Sequence, residues 1–120
     1  MTGWDGRAEG IVEISHREGV IEFFEQCRFR PDSGGEMELK NRYRWTLLTD
    51  GVNLSHVRRR KPVDLVTLVP VSDVLLRPRN PHLCGKDCYR LDVELKSSGF
   101  DALWRITGPR KDERLRYYYR

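Results

Sequence analysis

Two groups of residues in this chain have the types and spacing to do chemistry. The first is Pro81-His82-Leu83-Cys84-Gly85-Lys86-Asp87-Cys88-Tyr89, which sets a histidine, two cysteines, a carboxylate and a phenol around one turn. Two cysteines a few residues apart beside a histidine are a spacing that zinc ligation uses, but a structural zinc site closes only with a fourth ligand. No second Cys or His pair follows, and Cys27 and Asp87 are the remaining donors. The plainer reading is a capped turn, with Asp87 accepting backbone N–H bonds and His82 donating to a carbonyl. A Cys84–Cys88 disulfide is a third. No metal is expected.

The second group lies on an alternating run. Val52, Leu54, His56 and Arg58 fall on one face, so if the aliphatic pair points inward, His56 and Arg58 do too. A buried arginine must be paired or must meet an anion. Glu25 shares an apolar face with Ile21, Phe23 and Cys27 and is the obvious internal partner. Two readings stand: a satisfied Arg58–Glu25 pair, or a cationic anchor for the carboxylate or phosphate of a ligand. In either case Arg59 faces solvent. Tyr43, Trp45, Tyr89, Trp104, Tyr117 and Tyr119 fall on inward faces as well. Such a stripe builds a core, and its hydroxyls suit the orientation of a polar ligand group.

Catalytic signatures are missing. There is no Gly-x-Ser-x-Gly, phosphate loop, His-Glu-x-x-His or dinucleotide fingerprint. His82 and Cys84, two apart on an extended segment, point the same way without being held in hydrogen-bond contact, so no nucleophile–base pair can be argued. An enzyme is not the expectation.

The elements that would position these residues are strands. Tyr89 to Lys96 alternates apolar Tyr89, Leu91, Val93 and Leu95 with charged Arg90, Asp92, Glu94 and Lys96, the period of a half-buried antiparallel strand. Ile21 to Phe29, Tyr43 to Leu47, Phe100 to Ile106 and Leu115 to Tyr119 read alike. Asp32-Ser33-Gly34-Gly35, Asp50-Gly51, Pro78 to Pro81, Ser97-Ser98-Gly99 and Gly108-Pro109 punctuate them, and Asp50-Gly51 signals a tight hairpin. Between Pro62 and Leu76, β-branched residues and Pro70 favour two short strands over a helix. Eight to nine strands joined by hairpin-length turns predict an all-β, antiparallel up-and-down barrel occupying residues 1–120 as one domain, near the size that holds side chains or one small ligand.

With 120 residues, a net charge of +4 and no apolar run long enough for a membrane helix, the chain reads as soluble, with no membrane partner. Three cysteines argue against a closed disulfide framework, and the first residues lack a secretory pattern, so a cytoplasmic location is expected. Arg58-Arg59-Arg60-Lys61 and the Arg-rich stretch from Arg105 to Arg120 permit an anionic partner.

Trp4 beside Gly3 and Gly6, together with Arg116 and Arg120 in the last strand, resembles the calycin superfamily of lipocalin-like barrels. There an N-terminal Trp packs beneath an Arg of the final strand. More narrowly, Trp4-Asp5-Gly6, Phe24-Glu25, Arg42-Tyr43-Arg44-Trp45, the His82 to Tyr89 element and Gly108-Pro109-Arg110-Lys111 are similar to a family of small lipocalin-like domains with no assigned activity. The His element has one more residue before its Asp than that family's pattern. The resemblance implies the barrel, with Trp4 closing one end under Arg116 or Arg120, and leaves the activity open. The expected function is small-molecule binding in the barrel mouth. Arg58 and His56 would meet an anionic group, with Tyr43, Trp45, Tyr89, Trp104, Tyr117 and His82 completing the site. A haem held by His56 or His82 is a variant, and otherwise no cofactor is named. The alternative is an RNA or acidic-protein binding module using the Arg-rich surface. Neither the ligand's identity nor the oligomeric state is legible.

Overall fold

A computed structural model describes residues 5–80, 82–84 and 86–120, of 82–84 the backbone alone. Trp4 and its expected contact with Arg116 or Arg120 lie outside these residues, as do the side chains of His82 and Cys84.

Ten strands follow one another: β1 Gly6–Arg17, β2 Val20–Pro31, β3 Met37–Leu47, β4 Val52–Arg58, β5 Lys61–Pro70, β6 Leu75–Pro78, β7 His82–Cys84, β8 Asp87–Lys96, β9 Gly99–Gly108 and β10 Lys111–Tyr119. Nine form one antiparallel meander in the order β1-β2-β3-β4-β5-β6-β8-β9-β10, and β7 pairs with β8 alone. There is no helix among the described residues. The expected all-β, antiparallel up-and-down architecture is therefore the one found.

Residues opposite each other in an antiparallel ladder share a face, so the register identifies the lining of the interior. Ile21 stands opposite Trp45, Phe23 opposite Tyr43 and Glu25 opposite Asn41. Trp45 stands opposite Leu54 and Tyr43 opposite His56, while Leu91 meets Trp104 and Val93 meets Ala102. The apolar centre is Val52, Leu54, Val66, Leu68, Leu91, Val93 and Ala102, with Leu68 and Leu91 fully buried. Burying each such leucine stabilises the fold by roughly 1.5–3 kcal/mol. Phe23 carries this core across the interior, its ring 6.1 Å from Phe100 and 5.5 Å from Tyr119.

The sheet curls into a half-barrel. Across the opening, β2 meets β9 and β10 through these rings, while among the described residues β1 pairs only with β2 and β10 only with β9. β1 thus overhangs the closure, with every residue exposed except the half-buried Val12.

Turn chemistry departs from the sequence reading in two places. Asp50-Gly51 belongs to a four-residue loop, because Leu47 pairs with Val52 and the Leu48 N–H donates to the Gly51 carbonyl. A Cβ at Gly51 would run into the Leu68 carbonyl, so this glycine serves a close backbone approach. A tight two-residue turn that the sequence does not signal is Arg59-Arg60, between the paired Arg58 and Lys61, with φ of 49° and 67°. Over Pro62 to Leu76 the two strands expected in place of a helix are found, β5 running to Pro70 with a bulge opposite Leu54 and Ser55 and the short β6 starting at Leu75.

Candidate ligand-binding site

The wall of the half-barrel opens between β3 and β4. Their ladder ends at Tyr43 opposite His56. Above that point β3 from Met37 to Arg42 pairs only with β2, from Phe29 to Phe24, and Val57 and Arg58 pair only with β5. The backbones on either side of this fissure present ladder groups with no strand partner, which water or a ligand must satisfy. A cleft of about 520 Å³ fills the gap. Glu25, Asn41 and His56 form its inner wall, and Lys40, Arg42, Arg58 and Arg59 line its lip, with Phe24, Gln26 and Val57 between.

Glu25 is 4% exposed. The Tyr119 hydroxyl donates to its Oε2. Burial holds the carboxyl above the usual glutamate range, and the Tyr119 bond opposes that rise in part. Tyr119, Tyr43 and Tyr117 are all pushed upward, burial first, and they remain neutral phenols. The inner chamber is therefore polar, and its three tyrosines carry no charge.

His56 joins the chamber to the lip. Its ring stacks on Tyr43 with centroids 5.0 Å apart. Arg58 Nε donates to His56 Nδ1 at 3.1 Å, so Nδ1 is an acceptor and the imidazole proton sits on Nε2. Burial, then the neighbouring Arg58 charge, pushes the histidine below its usual value and keeps it neutral. Among the described residues Arg58 makes no other hydrogen bond or ion pair, so its two terminal guanidinium nitrogens stay available at the cleft.

The four lip cations are not equivalent. Arg42 is committed to Glu22 through Nε at 3.1 Å and an NH2 group at 2.6 Å, and its guanidinium lies 4.7 Å above the Phe24 ring. Lys40 has only Glu38, at 3.9 Å with both side chains exposed, a contact worth little. Arg58 and Arg59 have no carboxylate within ion-pair distance among the described residues.

The expected Arg58–Glu25 pair is not formed. Arg58 is exposed at the flared end of β4 and bonds His56, while the internal partner of Glu25 is Tyr119. Arg59 is exposed to solvent, as expected, and also borders the cleft. Tyr43, His56 and Arg58 come together as the alternation required, with Tyr117 6.2 Å from Tyr119 on the facing strand. Trp45 sits lower, 5.7 Å from Phe23 and 5.9 Å from Phe100 in the aromatic floor. Trp104 packs on the apolar centre. Half-buried Tyr89 stands opposite Ile106. His82, with any metal or haem role for it, lies outside the described side chains. Asn41 and Lys40 were missed. Asn41 could have been found, since it shares the Tyr43–Trp45 parity, but it begins before the aromatic run that marks the strand.

The turn motif has a structural role. Lys111 Nζ lies 3.4 Å from Asp87 Oδ2, and a Cβ at Gly108 would collide with Asp87 Oδ1. Asp87 thus packs onto the β9–β10 turn. Cys27 and Cys88 are free thiols.

A model described as a family of unknown function, DUF6314, matches residues 1–120. The chain belongs to this family. No curated protein and no solved structure matches it. No helix among the described residues is long and apolar enough to cross a membrane.

Proposed function

We propose that this protein binds a small molecule bearing an anionic group, held in the side cleft of a lipocalin-like half-barrel related to the calycin superfamily. One observation carries the reading: Arg58 and Arg59, joined by the weakly held Lys40, converge without acid partners on a cleft whose inner wall is polar, with Glu25 buried and Asn41 and His56 half-buried. A cation cluster left unpaired beside low-dielectric walls attracts an anion more strongly than the same charges on an open surface. The cleft also falls within the usual size range for small-molecule sites. Free Cys27 and Cys88 suit a reducing compartment, in keeping with a cytoplasmic protein.

Native mass spectrometry of gently purified protein tests the reading. A carried small molecule should appear on the wild type and be lost from Arg58→Ala at an unchanged thermal midpoint. A wild type and variant that are both ligand-free, and that bind no anionic metabolite, would defeat it. If the basic surface instead serves RNA, oligonucleotide affinity should fall steeply with salt.

A further inference from the structure

We infer that the ligand class is a nucleoside monophosphate, its phosphate at the Arg58–Arg59–Lys40 lip and its base edge against Glu25 and Asn41. This rests on the small-molecule reading above and narrows it. The lip carries more positive charge than one carboxylate would neutralise. Arg58 reaches it with Nε already spent on His56, leaving two terminal nitrogens in the forked geometry that grips phosphate oxygens. Arg59 is held there by a turn whose left-handed backbone is costly for an arginine.

The inner wall excludes a simple apolar tail. Glu25 and Asn41 stand opposite one another on β2 and β3, both lining the cleft. The Asn41 amide makes no side-chain hydrogen bond to the described residues. A hydrocarbon chain there would strand the Asn41 amide without a partner and leave the Glu25 carboxyl with the Tyr119 hydroxyl alone, a cost that selects against it. A carboxyl group and a carboxamide side by side offer donors and acceptors along one line, the arrangement that reads the edge of a heterocyclic base. His56, backed by the Tyr43 ring, adds an aromatic face beside them, and bases stack readily on such faces. The neutral state of His56 leaves its Nε2–H as a further donor.

Calorimetric titration with adenosine, guanosine, cytidine and uridine 5′-monophosphates, their nucleosides, inorganic phosphate, dodecanoate and a short oligouridylate tests this. At least one monophosphate should bind about tenfold or more tighter than both its nucleoside and inorganic phosphate. Arg58→Ala and Arg59→Ala should each remove the preference for the phosphorylated form, and Arg58→Lys should restore it only in part. Asn41→Ala should lower nucleotide affinity to that of phosphate while leaving phosphate binding unchanged, which separates base reading from charge. Equal binding of nucleosides and nucleotides overturns the inference, as does binding of the oligonucleotide alone. Dodecanoate binding without nucleotide binding overturns it but leaves the small-molecule reading standing. No binding by any probe and no carried ligand overturns both.

Discussion

Glu25 sits inside the half-barrel with a phenol, not a cation, as its hydrogen-bond partner, and its folded pKa lies above the ordinary value of 4.5. A raised carboxyl pKa contributes stability that is complete below the unfolded value and lost as pH rises through the folded one. Chemical denaturation should therefore show the wild type weakening above about pH 4.5, whereas Glu25→Gln should be flatter over that window and the more stable of the two at alkaline pH. Equal pH slopes for the two proteins would refute the assignment. Tyr119→Phe leaves the same buried group without its donor and should cost about 1–3 kcal/mol. For His56, removing the cation with Arg58→Ala should raise the imidazole pKa, read by NMR titration of its ring protons. An unchanged or lowered value would mean that Arg58 does not act on the ring. Parity in the sequence was enough to face Glu25, Tyr43 and His56 inward. It could not find Tyr119 as the partner of Glu25, because alternation assigns a face and says nothing of what stands across the interior. Arg58 obeyed the same parity yet ends in solvent, since its strand has left the β3 ladder by that point.

At the scale of elements, the β4–β5 turn trades stability for charge. Its two central residues both have positive φ, which Asn-Gly would adopt at little cost, and they are Arg59 and Arg60. Arg60→Gly should raise stability by about 1 kcal/mol by relieving the left-handed backbone, leaving ligand affinity nearly intact. Arg59→Asn should gain a similar amount and weaken anion binding. Thermal melts paired with the titrations above separate the two effects, and a destabilised Arg60→Gly would show that no strain was present to relieve. This turn was illegible because it contains none of the residues that mark turns. β1 escaped for a different reason: Ile11 and Ile14 point to opposite faces and are 63% and 60% exposed, so no period records which side is inside. Where one face is covered, as in β8 and β9, the alternation located the strand almost to its ends.

For the molecule as a whole, the core is the contiguous leucine–valine cluster of β4, β5, β8 and β9. Leu91→Ala should cost about 2–5 kcal/mol, against under about 0.5 kcal/mol for Ile14→Ala on the overhanging strand; comparable losses would mean that β1 is covered in solution. The meander was legible because each turn is short, whereas the incomplete closure was not, since nothing local in β1 or β10 records whether they meet. The clasp of Phe23 and Glu25 on Phe100 and Tyr119 also has a bearing on rates. Almost every ladder joins neighbours in sequence, so hairpins can form and zip one after another. The Glu25–Tyr119 contact bridges a separation of 94 residues, and closing so long a loop costs on the order of 4 kcal/mol in chain entropy. The clasp should therefore assemble after the folding barrier is crossed. In a stopped-flow chevron, Phe23→Ala should accelerate unfolding and leave the refolding arm nearly where it was. A refolding rate that falls in proportion to the lost stability would put the clasp in the nucleus instead. On the late-clasp account, the bonds that shape the inner wall of the cleft are also the ones that set how long the folded molecule lasts.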